Sequence, residues 1–330
     1  MAYRFKLKED LRDGVRRIAG EQIERVLQAP RKGADRVGWV HEARKTMKRT
    51  RALLRCVRSG LPDRRFREEN AALAEIARGL SGLRDRDVMA DTIARLAGQD
   101  DGLDEALSVL STRLHMAAST DAEPELAARS ADALVRRALK ALEKARERLM
   151  KLDVAGALVE TVGTGLRSSQ RAGRDALARL TVDASDDGVH DLRKVVQTYQ
   201  RQQTLVYAVW PEICDVRIEA ARELAQLLGE AQDFAVLAAT AQTISGDLSP
   251  DETERLARVT AACHDRQAMI RDIALPMAAR LYASRPSAVA RELEESWAAA
   301  VRLSAVRRHS ASGKAGAANQ PKRTTDASGD

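Results

Sequence analysis

Apolar residues recur along this chain at steps of three and four from about residue 8 to about residue 303, the spacing that lines one face of an α-helix. Short polar interruptions cut the pattern into segments. It predicts helices over 8–29, 34–59, 63–80, 86–98, 103–119 and 125–151 in the first half. Six more follow over 154–180, 187–209, 212–229, 233–244, 252–283 and 287–304. The stops are Leu61-Pro62-Asp63, the run from Gly98 to Gly102, and Asp186-Asp187-Gly188. Pro211, Pro276 and Pro286 mark first turns or kinks. From residue 305 the apolar period is lost, so 305–330 reads as a disordered basic tail.

Two segments are near copies of each other. Val40 opens VHEARKTMKRTRALLRCVR and Val189 opens VHDLRKVVQTYQRQQTLV. Each is followed by a second matching pair, LSGLRDRDVM from Leu80 and LGEAQDFAVL from Leu228. His41 and His190 lie 149 residues apart, and Asp85 and Asp233 lie 148 apart. Two motifs recurring in order at a nearly constant offset indicate a tandem repeat of one helical design. The expected units are residues 1–152 and 153–304, with the tail after them. Composition adds that the fold is all-α: only 3% of the 330 residues are aromatic, and Ala, Leu, Arg and Glu dominate.

Net charge changes this picture little, because 55 Lys and Arg against 48 Asp and Glu leave only +7. The placement of the cations says more. On a helix beginning near His41, Val40, Ala43, Met47, Leu54 and Val57 gather on one side as the candidate core. His41, Arg44, Lys45, Lys48, Arg51 and Arg55 form a column on another, with Glu42 the only acid between His41 and Arg58. Like charges at such spacing destabilise an isolated helix, so an anionic ligand or a neighbouring helix must compensate them. Further columns are Arg137, Lys140, Lys144, Arg148 and Lys151, where Glu143 and Glu147 offer compensation, and Arg167, Arg171 and Arg174. Gly165 and Gly173 leave room for close approach on the latter segment. The second His-led helix carries His190, Arg193, Lys194 and Arg201 on one side. Any one column alone is most simply a solvated face; several of one sign suit a polyanion, whose phosphate oxygens accept charge-assisted bonds from Arg and Lys. For the two His, a helix-start hydrogen bond competes with a role as phosphate donor. Asp85 and Asp233 are read as helix caps or local ion pairs, and Trp39, Trp210 and Trp297 as core plugs.

The His-led pair and the paired Leu-x-x-x-(Arg/Gln)-Asp segments resemble the CHAD domain, the conserved histidine α-helical domain. GLRSSQRAGRDALARL ahead of VHDLRKVVQ, and ALPMAARLYASRPSAVARELEESW near the end, are similar to the same family, so the resemblance covers about residues 3–300. It implies two pseudo-symmetric four-helix bundles whose basic helices line a central groove or pore that binds inorganic polyphosphate. By the same resemblance, the ligand-facing residues are His41, Arg44, Lys48, Arg49, Arg51 and Arg55, then Arg171, Arg174, His190, Arg193 and Lys194. The second repeat departs from the first, with Gln197, Gln200 and Thr204 where the first has Lys48, Arg51 and Arg55. The predicted binding weakens as salt rises, because neutralised phosphates release counterions, and strengthens as His41 and His190 gain protons.

Other functions are less well supported. His190-Asp191 and His264-Asp265 are similar to the His-Asp pairs of helical metal phosphohydrolases, but further ligands to complete a metal site are not evident, and no catalysis or cofactor is expected. Nucleic acid is the closer rival, although aromatics for base stacking are nearly absent from the basic faces; docking of an acidic protein is the third. Cys56, Cys214 and Cys263 lack metal or redox spacing, which suits a reducing compartment. With no apolar leader and no run of membrane-spanning length, the expected place is the cytoplasm without a membrane partner, and polyphosphate granules are the corollary of the ligand.

Overall fold

The computed structural model describes residues 3–29, 35–80, 85–98, 101–119, 124–244 and 248–317, and among them the regular structure is helical throughout. The first half holds α1 (Leu11–Gln28), α2 (Arg36–Cys56), α3 (Asp63–Gly79), α4 (Asp85–Leu96), α5 (Asp101–Ser119) and α6 (Pro124–Met150). The second holds α7 (Leu158–Val182), α8 (Asp186–Leu205), α9 (Pro211–Thr243), α10 (Pro250–Leu281) and α11 (Pro286–Ala317). Local chemistry sets several starts. Asp10, Asp35 and Ser185 accept backbone N–H groups at the heads of α1, α2 and α8. Ser249 and Glu252 close a reciprocal capping box before α10, with Pro250 in its first turn. Gly98, at φ 78°, lets the chain turn away from α4, as the stop at that glycine predicts.

Two expected elements differ. The segments 212–229 and 233–244 are one helix, α9, because a continuous buried row from Leu224 through Leu228, Ala231, Ala235 and Ala238 runs across the expected break. Asp233 therefore caps nothing; it pairs with Arg95 of α4 at 3.0 Å. Asp85 opens α4, while 81–84 of the first copy of that motif lie outside the described residues. Secondly, α11 runs on to Ala317, past its expected end at 304. Ala, Arg and Lys sustain a helix already nucleated by a packed segment without needing a core of their own. The remainder of the expected tail, 318–330, lies outside the described residues.

In the first half, α1, α2, α3 and α6 close a square in which α2 and α6 stand at opposite corners. In the second, α7, α8, α9 and α10 close another, with α4 resting on α9, α5 on α10 and α11 on α7. The apolar residues form two cores. One joins α1, α2, α3 and α6 to Val162 and Leu166 of α7 and to Val289, Leu293 and Trp297 of α11. The other joins α8, α9 and α10 to Leu96 of α4 and Leu103, Leu107 and Leu110 of α5. Each core thus draws on both sides of residue 152. Val40, Ala43, Met47, Leu54 and Val57 are all buried, as their shared face requires.

Polar ties reinforce this interlocking. Arg113 of α5 holds Glu252 of α10 with contacts of 2.7 and 2.8 Å. Arg148 of α6 holds the buried carboxylate of Glu69 on α3 through two bonds of 3.0 Å. The N-terminal strap, residues 3–7, bonds to three helices: Tyr3 Oη donates to the Arg49 carbonyl, Phe5 N to that of Leu205, and Trp297 Nε1 to that of Leu7. Trp39 and Trp297 fill the first core, whereas Trp210 is 47% exposed. It precedes Pro211, whose ring holds it extended (φ −153°, ψ 86°) at the head of α9 and away from the interior.

Candidate anion-binding site

Where α2, α7 and α8 face one another, the helices leave a cavity of about 760 Å³. From the first half, α2 contributes Arg44, Lys48, Arg51 and Arg55, followed by Arg58 in the 3-10 turn and Phe66 of α3. These α2 positions are spaced i, i+4, i+7 and i+11, one row along a helix, and Arg58 extends the row by a further step. From the second half, α8 contributes His190, Arg193, Lys194 and Arg201 together with Gln197, Thr198 and Gln202. Between them α7 presents Gly165, Ser168, Ser169 and Ala172, with Arg179 further along.

The floor is set by glycine. A Cβ on Gly165 would collide with the backbone carbonyl of Cys56, so only glycine lets α7 approach α2 this closely. Gly173 plays the same part against the Tyr282 ring, and Gly229 of α9 leaves space for the Arg193 guanidinium.

Nine Arg or Lys side chains line this space against one carboxylate, Asp191. Asp191 is itself engaged by Lys194 at 3.0 Å. In a chain whose overall charges nearly balance, that segregation creates a concentrated positive field. Arg51 donates to Asn70 (3.0 Å) and Arg201 to the Gln197 carbonyl (2.5 Å), both neutral acceptors. Among the described residues no carboxylate pairs with Arg55, and Nη1 of Arg44 is buried without a hydrogen-bond partner. Burial, then the charges of Arg51 and Arg201, lowers the pKa of Arg55 to about 10. Burial, with Arg49 adding to it against Tyr3, lowers Arg201 to about 10, and burial beside Arg78 lowers Arg51. His190 is pushed down by burial and by Lys194 and Arg193, against the smaller opposing pull of Asp191 and Gln232. Its Nδ1 is buried without a hydrogen-bond partner. In all four, burial is the largest cause and neighbouring cations add to it; an anion placed beside these groups would favour their charged forms.

Of the cations and histidines singled out in the sequence, Arg44, Lys48, Arg51, Arg55, His190, Arg193, Lys194 and Arg201 line the cavity. The others lie elsewhere. His41 is exposed at the head of α2, and Lys45 pairs with Glu42 at 3.2 Å. Arg49 sits 6.0 Å over the Tyr3 ring. Lys140 and Lys144 are exposed on α6, at the corner opposite α2. On α7 the cavity row is Gly165, Ser168, Ser169 and Ala172, which leaves Arg167, Arg171 and Arg174 on the neighbouring face. Arg174 instead donates to the carbonyls of Tyr282 and Ala283, at 2.9 and 3.1 Å. Sequence reasoning missed Arg58, which continues the α2 row by i+3 after Arg55, and Arg179, an i+7 step from Ala172. Arg58 stacks 4.3 Å over Phe66 and pairs with Asp63 at 2.8 Å, so it is held at the edge of the site.

His264 and Asp265 are exposed on α10, and no group of three His, Cys, Asp or Glu is placed to hold a metal among the described residues. Nor is any described helix long and apolar enough to cross a membrane. Burial raises the pKa of Cys56 to about 12 and those of Cys214 and Cys263 to about 11.

A model of the CHAD domain matches residues 17–242, about two thirds of the chain. Among solved structures, PptA from Streptomyces chartreusis is similar in fold, with a TM-score of 0.59 and 16% identity over 82% of this chain and 100% of that one. No curated protein matches the chain in sequence.

Proposed function

Because this chain belongs to the CHAD domain family, we propose that it binds inorganic polyphosphate, without cleaving it, in the groove between α2, α7 and α8. Membership fits a polyphosphate-related function at the level of the family. For this chain, the observation that supports the reading most is the meeting of nine cations and one carboxylate in a single groove drawn from both halves. A linear chain of phosphates offers only charge and spacing, and rows of Arg and Lys along two helices supply both. Guanidinium groups grip phosphate oxygens in pairs, and the hydroxyl of Ser169 adds a neutral donor. In this reading the two halves are pseudo-symmetric bundles that each bring one His-led helix to the groove.

The expected affinity falls steeply with salt. By analogy with duplex DNA, neutralising about six phosphates makes binding fall about a thousandfold between 50 and 200 mM salt. Titrating long-chain polyphosphate at several salt concentrations measures the slope; a flat response sinks the reading. RNA is the rival that the lone aromatic Phe66 invites, but Arg58 already stacks on that ring. Competition between polyphosphate and single-stranded RNA at fixed salt separates them, with polyphosphate expected to win. Phosphate release in the presence and absence of Mg²⁺ or Mn²⁺ tests the non-catalytic part, and the expected result is none.

A further inference from the structure

Helix α3 packs against α2, which supplies one wall of the groove. Glu68, Glu69 and Asn70 follow one another on α3, and only the last is neutral. Both acids are engaged elsewhere. Glu68 pairs with Arg64 at 2.8 Å and with Arg65 at 3.5 Å, on its own helix. Glu69 is buried and held by Arg148 of α6 at 3.0 Å. The residue that reaches the cations of the groove is Asn70, whose Oδ1 accepts from Nε of Arg51 at 3.0 Å. Among the described residues Arg51 makes no other hydrogen bond or ion pair. Burial and the charge of Arg78 lower its pKa, and no carboxylate opposes them.

A side-chain amide and a carboxylate have nearly the same shape but opposite consequences here. A carboxylate beside a guanidinium accepts from two N–H groups at once and cancels its charge. An amide oxygen takes one bond and leaves the charge whole. Arg51 is thus fixed through Nε, while Nη1 and Nη2 remain to donate to phosphate oxygens. Arg201, on the facing helix, is held by the same kind of partner, the carbonyl oxygen of Gln197. Holding matters because a mobile Arg side chain loses rotamer freedom when it grips a ligand, and one already fixed loses less.

We infer that Asn70 is a positioning residue of the anion site: it holds the Arg51 guanidinium by one neutral hydrogen bond, so that the charge of Arg51 remains for phosphate. The inference rests on the polyphosphate reading and adds to it a residue of α3, behind the wall of the groove, that sets how strongly the groove binds.

The test titrates long-chain polyphosphate into the native protein and three variants at several salt concentrations. Asn70→Asp keeps the shape and adds a carboxylate. Binding is expected to weaken about tenfold, and the log–log salt slope to become shallower by about one, because one fewer phosphate is neutralised. Its denaturant midpoint is expected to be no lower than that of the native protein, since Arg51 gains an ion pair. Asn70→Ala removes the holder and leaves the charge, so binding falls about threefold at an unchanged slope. In an Arg51→Gln background, adding Asn70→Ala is expected to weaken binding no further, which a general disturbance of α3 would not reproduce. Native affinity and slope in Asn70→Asp, or an equal loss from Asn70→Ala with and without Arg51, overturns the role of Asn70 while leaving polyphosphate binding intact. A native protein that binds no polyphosphate at low salt overturns both. The Asp variant preserves the size of the side chain, so it remains a test even if truncation to Ala loosens α3.

Discussion

His190 shows how one side chain couples the site to pH. Burial, Lys194 and Arg193 hold its pKa below the ordinary value, and Asp191 and Gln232 oppose them only in part. The free protein therefore keeps the ring neutral at pH 7, and a polyanion placed beside it favours the charged form. Binding then takes up a proton, so His190 adds to affinity as pH falls and the ring becomes charged. The stability of the unliganded protein moves in the opposite direction. A histidine whose folded pKa is depressed binds its proton first in the unfolded chain, so that contribution is lost as pH falls through about 6.5. Dissociation constants across this range for the native protein and for His190→Gln isolate the effect from titration of the ligand; equal slopes in the two would refute it. The rest of the site was unevenly legible at this scale. Arg44, Lys48, Arg51 and Arg55 could be found because they repeat at helical spacing without acids among them. Arg167, Arg171 and Arg174 have the same spacing, yet α7 turns its small residues to the groove, because a helix must present Gly165 where another backbone crosses it. Charge marks a helix face but does not say which neighbour that face meets.

Among the elements, α7 has the least freedom. Its contact with Cys56 fixes the distance between the two walls of the groove, so Gly165→Ala must push α2 and α7 apart. The expected cost is about 1–3 kcal/mol, as for other overpacked sites, with weaker polyphosphate binding alongside. Gly79→Ala is the control: a Cβ there meets nothing, and the change is expected to be neutral or mildly stabilising. Denaturant midpoints of the two variants decide the matter, and equal stability would mean that the close approach is not what glycine is there to allow. Periodicity located the described helices to within a few residues because their apolar stripes are long and regular. It failed at α9, where a polar stretch looked like a boundary although its buried row continues. It also ended α11 early, since a helix can outrun the stripe that nucleated it.

Across the whole molecule, the repeat seen in the sequence and the packing of the cores follow different divisions. Leu103, Leu107 and Leu110 belong to the first half of the chain but are buried against the second, while Val289, Leu293 and Trp297 do the reverse. A fragment of residues 1–152 leaves those leucines without cover and the first core without its α7 and α11 side chains. Such a fragment is expected to remain largely unfolded or to aggregate, whereas the full chain melts in one cooperative transition. Circular dichroism and size-exclusion chromatography of the fragment test this, and a stable helical monomer would contradict it. No local pattern could have revealed the exchange, because an amphipathic helix records that it has a partner without recording which one.

The bond from Trp297 to the carbonyl of Leu7 joins positions 290 residues apart. A ribosome must have made Trp297 before that buckle can fasten, so the strap, made long before, waits for α11 to hold it. The end of α8, which the strap crosses, is accordingly fully covered only after α11 has been made.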